Sequence, residues 1–181
     1  MLQKQELSAL AGSAPGAEIV HDIAALLTAR GWLLTAAESC TGGLVAAACT
    51  ELAGSSLWFE RGIVSYSNAA KSELLGVPPA LIARHGAVSE PVVRAMAEGA
   101  LAHARAQVSV ALTGIAGPTG GSADKPVGTV WFGWCVDGRT DTQRCRFDGD
   151  RQAVRAQAAL HALRGLAARL AAPGGAATPL T

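Results

Sequence analysis

Three short, apolar, β-prone runs alternate with stretches of helical spacing, and no other feature constrains the fold as much. The runs are Gly31-Trp-Leu-Leu-Thr-Ala36, Leu57 to Tyr66, and Val108 to Thr113. Each reads as a strand. Ala17 to Arg30 carries Ile19, Val20, Ile23, Leu26 and Leu27 at helical spacing, with Gly31 as the stop. Leu44 to Leu52 reads as a helix that ends before Gly54. Asn68 is expected to cap a short helix over 69–75, which Gly76 and Pro78-Pro79 end. A further short helix is expected over 79–84. Ser89 is expected to cap the next helix, with Pro91 in its first turn and Val92 to Ala106 beyond. Strands separated by helices imply right-handed parallel crossovers. Val127 to Val136 reads as a fourth strand. The hairpin signal Asp137-Gly138 makes the fifth, Arg139 to Phe147, antiparallel to it. Asp148-Gly-Asp150 then caps a long helix with Ala153, Val154, Ala158, Leu160, Leu163, Leu166 and Leu170 on its apolar stripe. The expected fold is α/β: a three-layer α/β/α sandwich with a mixed, mostly parallel sheet of about five strands. Residues 17–172 are expected to form one domain, between a flexible arm at 1–16 and a disordered tail at 173–181.

The chain's 181 residues suffice for a full core, and half of them are hydrophobic. A net charge of +1 leaves no basic excess to hold a polyanion, so nucleic acid is not an expected partner. No apolar run reaches the ~18 residues that span a bilayer, and no signal-peptide core precedes Lys4 and Glu6, so no membrane partner is expected. Cys40, Cys49, Cys135 and Cys145 form no C-x-x-C pair, which suits free thiols in a cytoplasmic protein. His21, His85, His103 and His161 lack ligand spacing, so neither a metal nor another cofactor is expected.

In a mostly parallel sheet, the loops that follow the parallel strands share one edge. Here they carry Glu38-Ser39-Cys40-Thr41-Gly42-Gly43, Tyr66-Ser-Asn68-Ala-Ala-Lys71, and Thr113-Gly114 running on through Gly117, Gly120 and Gly121. The first loop joins a strand to a helix, where backbone N–H groups lack intrahelical partners and suit an anion or an oxyanion. Ser39 is the candidate nucleophile and Lys71 its candidate base, since burial lowers a lysine pKa. Tyr66 could relay or donate a proton. Arg151, just inside the last helix, suits a phosphate. Each residue also has a plain structural reading. Ser39 or Thr41 could cap the helix, Lys71 and Arg151 could be solvated, and Tyr66 could be a core aromatic. Cys40 is a rival nucleophile. No histidine lies in these loops, which disfavours a Ser–His–Asp triad.

Several longer motifs occur in a recognisable order. They are Ala37-Glu-Ser-Cys-Thr-Gly-Gly43, Val64-Ser-Tyr-Ser-Asn-Ala-Ala-Lys71, His85-Gly-Ala-Val-Ser-Glu90, Leu112-Thr-Gly-Ile-Ala-Gly-Pro118, Lys125-Pro-Val-Gly-Thr-Val130, and Phe147 to Arg151. Together they resemble the C-terminal domain of the CinA, or competence/damage-inducible, family over residues 17–170. The resemblance implies hydrolysis of the carboxamide of nicotinamide mononucleotide (NMN), giving nicotinic acid mononucleotide and ammonia. It implies Ser39 as nucleophile, Lys71 as its activator, and Tyr66 close by. It also implies that Thr113 and the 114–121 loop face the substrate and that Arg151 lies near the phosphate; the Cys40, Thr41 and Gly42 N–H groups are the candidate oxyanion donors. A homo-oligomer is expected by the same resemblance. Many members carry an N-terminal domain with a metal-dependent activity; with about 16 residues before the first helix, neither is expected here. A nucleotide-binding module without catalysis, and a serine amidase for another small amide, remain alternatives.

Overall fold

The computed structural model describes residues 15–172. The expected tail lies outside the described residues, as does the expected arm except for Pro15 and Gly16, which open the first helix. A five-stranded mixed sheet has the order β2-β1-β3-β4-β5. β1 (Leu34–Glu38) is buried along its whole length and lies between β2 (Phe59–Val64) and β3 (Val108–Gly114), parallel to both. β4 (Thr129–Val136) runs antiparallel to β3, and β5 (Arg139–Arg146) runs antiparallel to β4. Only β4 is therefore reversed. Asp137 and Gly138 join the last pair with φ of 49° and 74°, the left-handed pair that a tight hairpin needs.

Two helical layers bury the sheet. On one face lie α1 (Pro15–Arg30), α2 (Leu44–Glu51) and α6 (Arg151–Ala171). There Ile23, Leu27, Val45, Leu163 and Leu166 pack with Ala36, Val110 and Leu112 of the sheet. On the other face lie α3 (Asn68–Leu75), α4 (Pro79–His85) and α5 (Glu90–Ala102). There Leu75, Val92, Val93 and Met96 pack with Ala37 and Ala111. Neighbours such as Ala36 and Ala37 enter opposite cores because successive strand side chains point to opposite faces. Burial on both faces also explains why the β1 and β3 runs are apolar without alternation. Trp134 of β4 is fully buried, stacks on Phe132 with ring centroids 5.6 Å apart, and donates its Nε1–H to the Ala162 carbonyl at 2.9 Å.

The three-layer arrangement matches the expectation, with local differences at element ends: β2 is shorter than the expected Leu57–Tyr66, and α5 stops at Ala102 rather than Ala106. β1 begins at Leu34 rather than Gly31 and ends at Glu38, so Ser39 directly follows the strand. Ser67, not Asn68, caps α3: its side chain accepts the Ala70 N–H at 3.0 Å, and Asn68 is the first helical residue. Two adjacent cap-competent residues allow either register, and the chain takes the earlier one. Ser89 occupies the N-cap position of α5, yet its hydroxyl donates to the Gly86 carbonyl at 2.7 Å instead of accepting from the helix.

Candidate active site

The C-terminal ends of β1, β2 and β3 lie side by side, with Glu38 paired to both Val64 and Leu112. A cavity of about 220 Å³ opens over these ends. The loop after β1 contributes Ser39 and Cys40 to its wall; the loop after β2 contributes Tyr66, Asn68 and Lys71. Thr113, Gly114 and Ala116 line it from β3 and the following loop, and Arg151 lines it from α6. The three loops read from the sequence therefore do converge.

At the floor of the cavity, Lys71 Nζ donates to Ser39 Oγ at 2.9 Å and to the Ser65 carbonyl at 2.8 Å. α3 carries Lys71 inward, leaving it 1% exposed, which excludes the solvated reading. Burial pulls the Lys71 ammonium below the ordinary lysine value, while the neighbouring Cys40 acts in the opposite direction. A lysine that gives up its proton more readily, held on a serine hydroxyl, has the geometry of a base on its nucleophile. Burial also pushes the Cys40 thiol up to about 11. The thiol is thus neutral at physiological pH, unlike an activated cysteine nucleophile.

The turn between β1 and α2 departs from the expected anion site. Glu38 is fully buried, and its carboxylate turns into the N-terminus of α2. Oε2 accepts the Thr41 hydroxyl at 2.7 Å, the Gly43 N–H at 3.0 Å and the Val45 N–H at 3.1 Å; Oε1 accepts the Ala46 N–H at 2.9 Å. The protein's own carboxylate thus occupies the place a ligand anion was expected to take. Glu38 is the cap, in place of Ser39 or Thr41. Thr41 is buried as a partner of that carboxylate. Gly42 and Gly43 adopt φ of 60° and 98°, which glycine reaches without strain. The Gly42 N–H returns to the Ser39 carbonyl at 3.1 Å, which removes it from the expected oxyanion donors. The N–H groups of Cys40 and Thr41 meet no carbonyl or carboxylate acceptor among the described residues. Of these two residues, only Cys40 lines the cavity.

Glu38, Thr41, Gly42 and Gly43 are therefore not brought to the cavity wall, and neither are Gly117, Gly120 and Gly121. Gly117 takes part indirectly, because its carbonyl accepts Arg151 Nη1 at 2.9 Å. Gly114 has no room for a side chain, since a Cβ would lie 2.7 Å from Val130 Cγ2 and 3.1 Å from the Cys40 sulfur. Tyr66 is exposed at the rim, and its hydroxyl accepts Arg151 Nη2 at 2.7 Å. No hydrogen bond joins Tyr66 to Ser39 or Lys71 among the described residues. Thr113 is buried, and its hydroxyl donates to the Ala87 carbonyl at 3.0 Å, so it fixes the wall.

Several contributors lie outside the expected set. Ala87 and Val88, from the segment before α5, and Ala116 complete the wall. Arg155 sits one helical turn beyond Arg151. Its Nε donates to the Cys40 carbonyl at 3.2 Å and its Nη2 to the Thr41 carbonyl at 2.7 Å. The i, i+4 spacing of two arginines at a helix start was the available signal, since such residues share a face. Ala87 and Val88 had no comparable signal.

Known proteins resemble this chain in sequence and in fold. Residues 16–170 match the family described as the CinA C-terminal domain. The chain is 59% identical over 147 residues to the nicotinamide-nucleotide amidohydrolase PncC of Enterobacter agglomerans, covering 81% of this chain and 90% of that protein. It is 55% identical over 150 residues to the Escherichia coli K12 protein of the same name, covering 82% and 91%. The crystal structure of competence damage-inducible protein A from Klebsiella pneumoniae superposes with a TM-score of 0.82 at 45% identity, covering 85% of this chain and 96% of that one. A family match across nearly all the described residues, close relatives of similar length and a shared fold lead to one conclusion: this chain belongs to the CinA C-terminal domain family.

Proposed function

We propose that this chain hydrolyses the carboxamide of nicotinamide mononucleotide to nicotinic acid mononucleotide and ammonia, as a step of pyridine nucleotide recycling. The observation that carries the reading is the buried 2.9 Å contact between Lys71 Nζ and Ser39 Oγ. The names of the relatives supply the substrate. Ser39 Oγ attacks the amide carbon while its proton passes to a neutral Lys71 amine. The carbonyl oxygen becomes an oxyanion and accepts the Cys40 N–H. Lys71 returns the proton to the departing nitrogen, and ammonia leaves an ester on Ser39. Water then attacks the ester as Lys71 accepts a proton from it. Collapse releases the acid, and Lys71 reprotonates Ser39. Each step balances with these groups and water, and needs no cofactor or metal.

Arg151 holds the phosphate at the rim, and Tyr66 orients Arg151 through their 2.7 Å bond. Asn68 and Thr113 belong to the substrate-facing wall. Residues 17–172 act as the amidase domain. The four unpaired cysteines support a cytoplasmic setting. Leu57 is 71% exposed just before β2 and Val64 is 46% exposed on it, at the open edge of the sheet. Both support pairing into a homo-oligomer, which light scattering on the purified protein tests.

The central test is ammonia release from NMN by the parent, Ser39→Ala and Lys71→Ala. Release by the parent that vanishes in both variants is expected. Release that survives in Ser39→Ala would remove the mechanism. A silent parent that still binds NMN by calorimetry would make the chain a nucleotide-binding module.

A further inference from the structure

An oxyanion formed beside Ser39 meets an unusual field. A helix N-terminus would ordinarily stabilise negative charge at this turn. Here Glu38 has spent that end: its carboxylate accepts the N–H groups of Gly43, Val45 and Ala46 and adds a buried negative charge of its own. Lys71 cannot compensate at the start of the reaction, because it must be neutral to take the Ser39 proton. The charges felt at Cys40 are those of Glu38, Lys71 and Arg155. Lys71 becomes a cation only as it takes that proton, so Arg155 is the cation among these groups that is in place before the step and stays through it.

Its placement is specific. Arg155 lies on the long helix α6 and reaches across to two consecutive carbonyls, Cys40 at 3.2 Å and Thr41 at 2.7 Å. It forms no salt bridge with a carboxylate among the described residues, so this half-buried guanidinium has main-chain oxygens as its partners. It does not line the cavity and so does not touch a substrate there. Together with the Gly42 N–H on the Ser39 carbonyl, these bonds hold three successive peptide planes after the nucleophile. A peptide plane is rigid, so holding the Thr41 C=O fixes the Gly42 N–H, which in turn holds the Ser39 C=O and, across that plane, the Cys40 N–H. A cation on the carbonyl side also polarises the hydrogen-bonded chain it joins.

We propose that Arg155 is the positioning residue of the oxyanion site, supplying through the Cys40 and Thr41 carbonyls the fixed positive charge that Glu38 has cancelled at the start of α2. The inference rests on the amidase reading and adds to it a residue that touches neither substrate nor base. Its loss affects the transition state, where charge develops, more than the bound substrate.

The test measures kcat and KM for ammonia release from NMN, across pH, in the parent, Arg155→Gln and Arg155→Lys. In Arg155→Gln, kcat should fall about 10- to 100-fold, less than the loss of an oxyanion donor outright, with KM held within about twofold. The rising limb of the pH profile should stay in place, since the base is untouched. Arg155→Lys should fall between the two, because it keeps the charge but not the fork. An Arg155→Gln enzyme with parental kcat would overturn the proposal. So would a KM that rises by the factor kcat loses, or a pH limb that moves, which would route the effect through Lys71. If Arg155→Gln does not fold, Arg155→Lys decides: a lowered kcat with KM and the pH limb held supports the proposal, and a parental kcat, or a KM that rises by the factor kcat loses, overturns it. A parent that releases no ammonia removes the amidase reading and this inference with it. An active parent with an indifferent Arg155 removes the inference alone.

Discussion

The two helices that begin beside the cavity start in opposite ways. α2 is closed from within: Glu38, the last residue of β1, is fully buried and caps it with both carboxylate oxygens. α6 is capped lightly at the surface, where Asp150 accepts the Ala153 N–H at 2.8 Å, and its first turn offers Arg151 to the cavity. One end is already neutralised and braces the nucleophile turn. The other keeps a cation at the rim. A nucleotide should therefore lie with its reacting amide at the α2 end and its phosphate at the α6 end.

That contrast can be broken at several points, taken from the largest expected effect. Lys71→Met removes the base at the α2 end and should lower kcat by at least about 10³-fold, measured as ammonia release. The same lysine predicts a pH dependence. The proposed mechanism requires the neutral amine, so kcat should rise with pH through a Lys71 value below the ordinary one. Stability should rise too. The unfolded chain binds more protons between the depressed folded value and the unfolded value near 10.5, and the penalty is fully present below that window. Urea midpoints measured across pH should show that rise in the parent and a flatter curve in Lys71→Met.

Glu38→Ala strands three backbone donors and the Thr41 hydroxyl in the interior. It should cost on the order of 3 kcal/mol or more by urea unfolding. Arg151→Ala should leave the fold intact and raise KM for NMN about tenfold, with a smaller effect on kcat. Its effect should shrink as salt rises, because the guanidinium is exposed. If Arg151→Ala instead lowered kcat alone, the phosphate would not lie at the α6 end. The smallest effect is expected from Asp150→Ala, about 1 kcal/mol of stability. Equal costs for Glu38→Ala and Asp150→Ala would show that the two ends are alike after all.

The layers and sheet were legible because the apolar runs and glycine stops reflect burial on both faces and helix termination, which are local properties of the chain. Ser39 and Lys71 were legible as candidates because both sit in loops that a parallel sheet must bring together. The role of Glu38 was not. A cap normally lies immediately before its helix, whereas Glu38 reaches α2 from the end of a strand across a turn of left-handed glycines. One sequence does not distinguish a carboxylate that binds a ligand from one that replaces it. Tyr66 shares the cavity with Ser39, while the bond its hydroxyl accepts from Arg151, a pairing 85 residues apart, has no local signature. Ala87 and Val88 lie at the wall beside Thr113, whose hydroxyl bonds the Ala87 carbonyl, again a long-range contact.

Cys40 shares a peptide bond with the nucleophile and is 6% exposed, with its sulfur packed close to Gly114. Burial pushes its thiol up to about 11, so the protonated form prevails at neutral pH. Peroxide and alkylating reagents attack the thiolate. Cys40, although adjacent to Ser39, should therefore react slowly with peroxide or iodoacetamide as long as the protein stays folded.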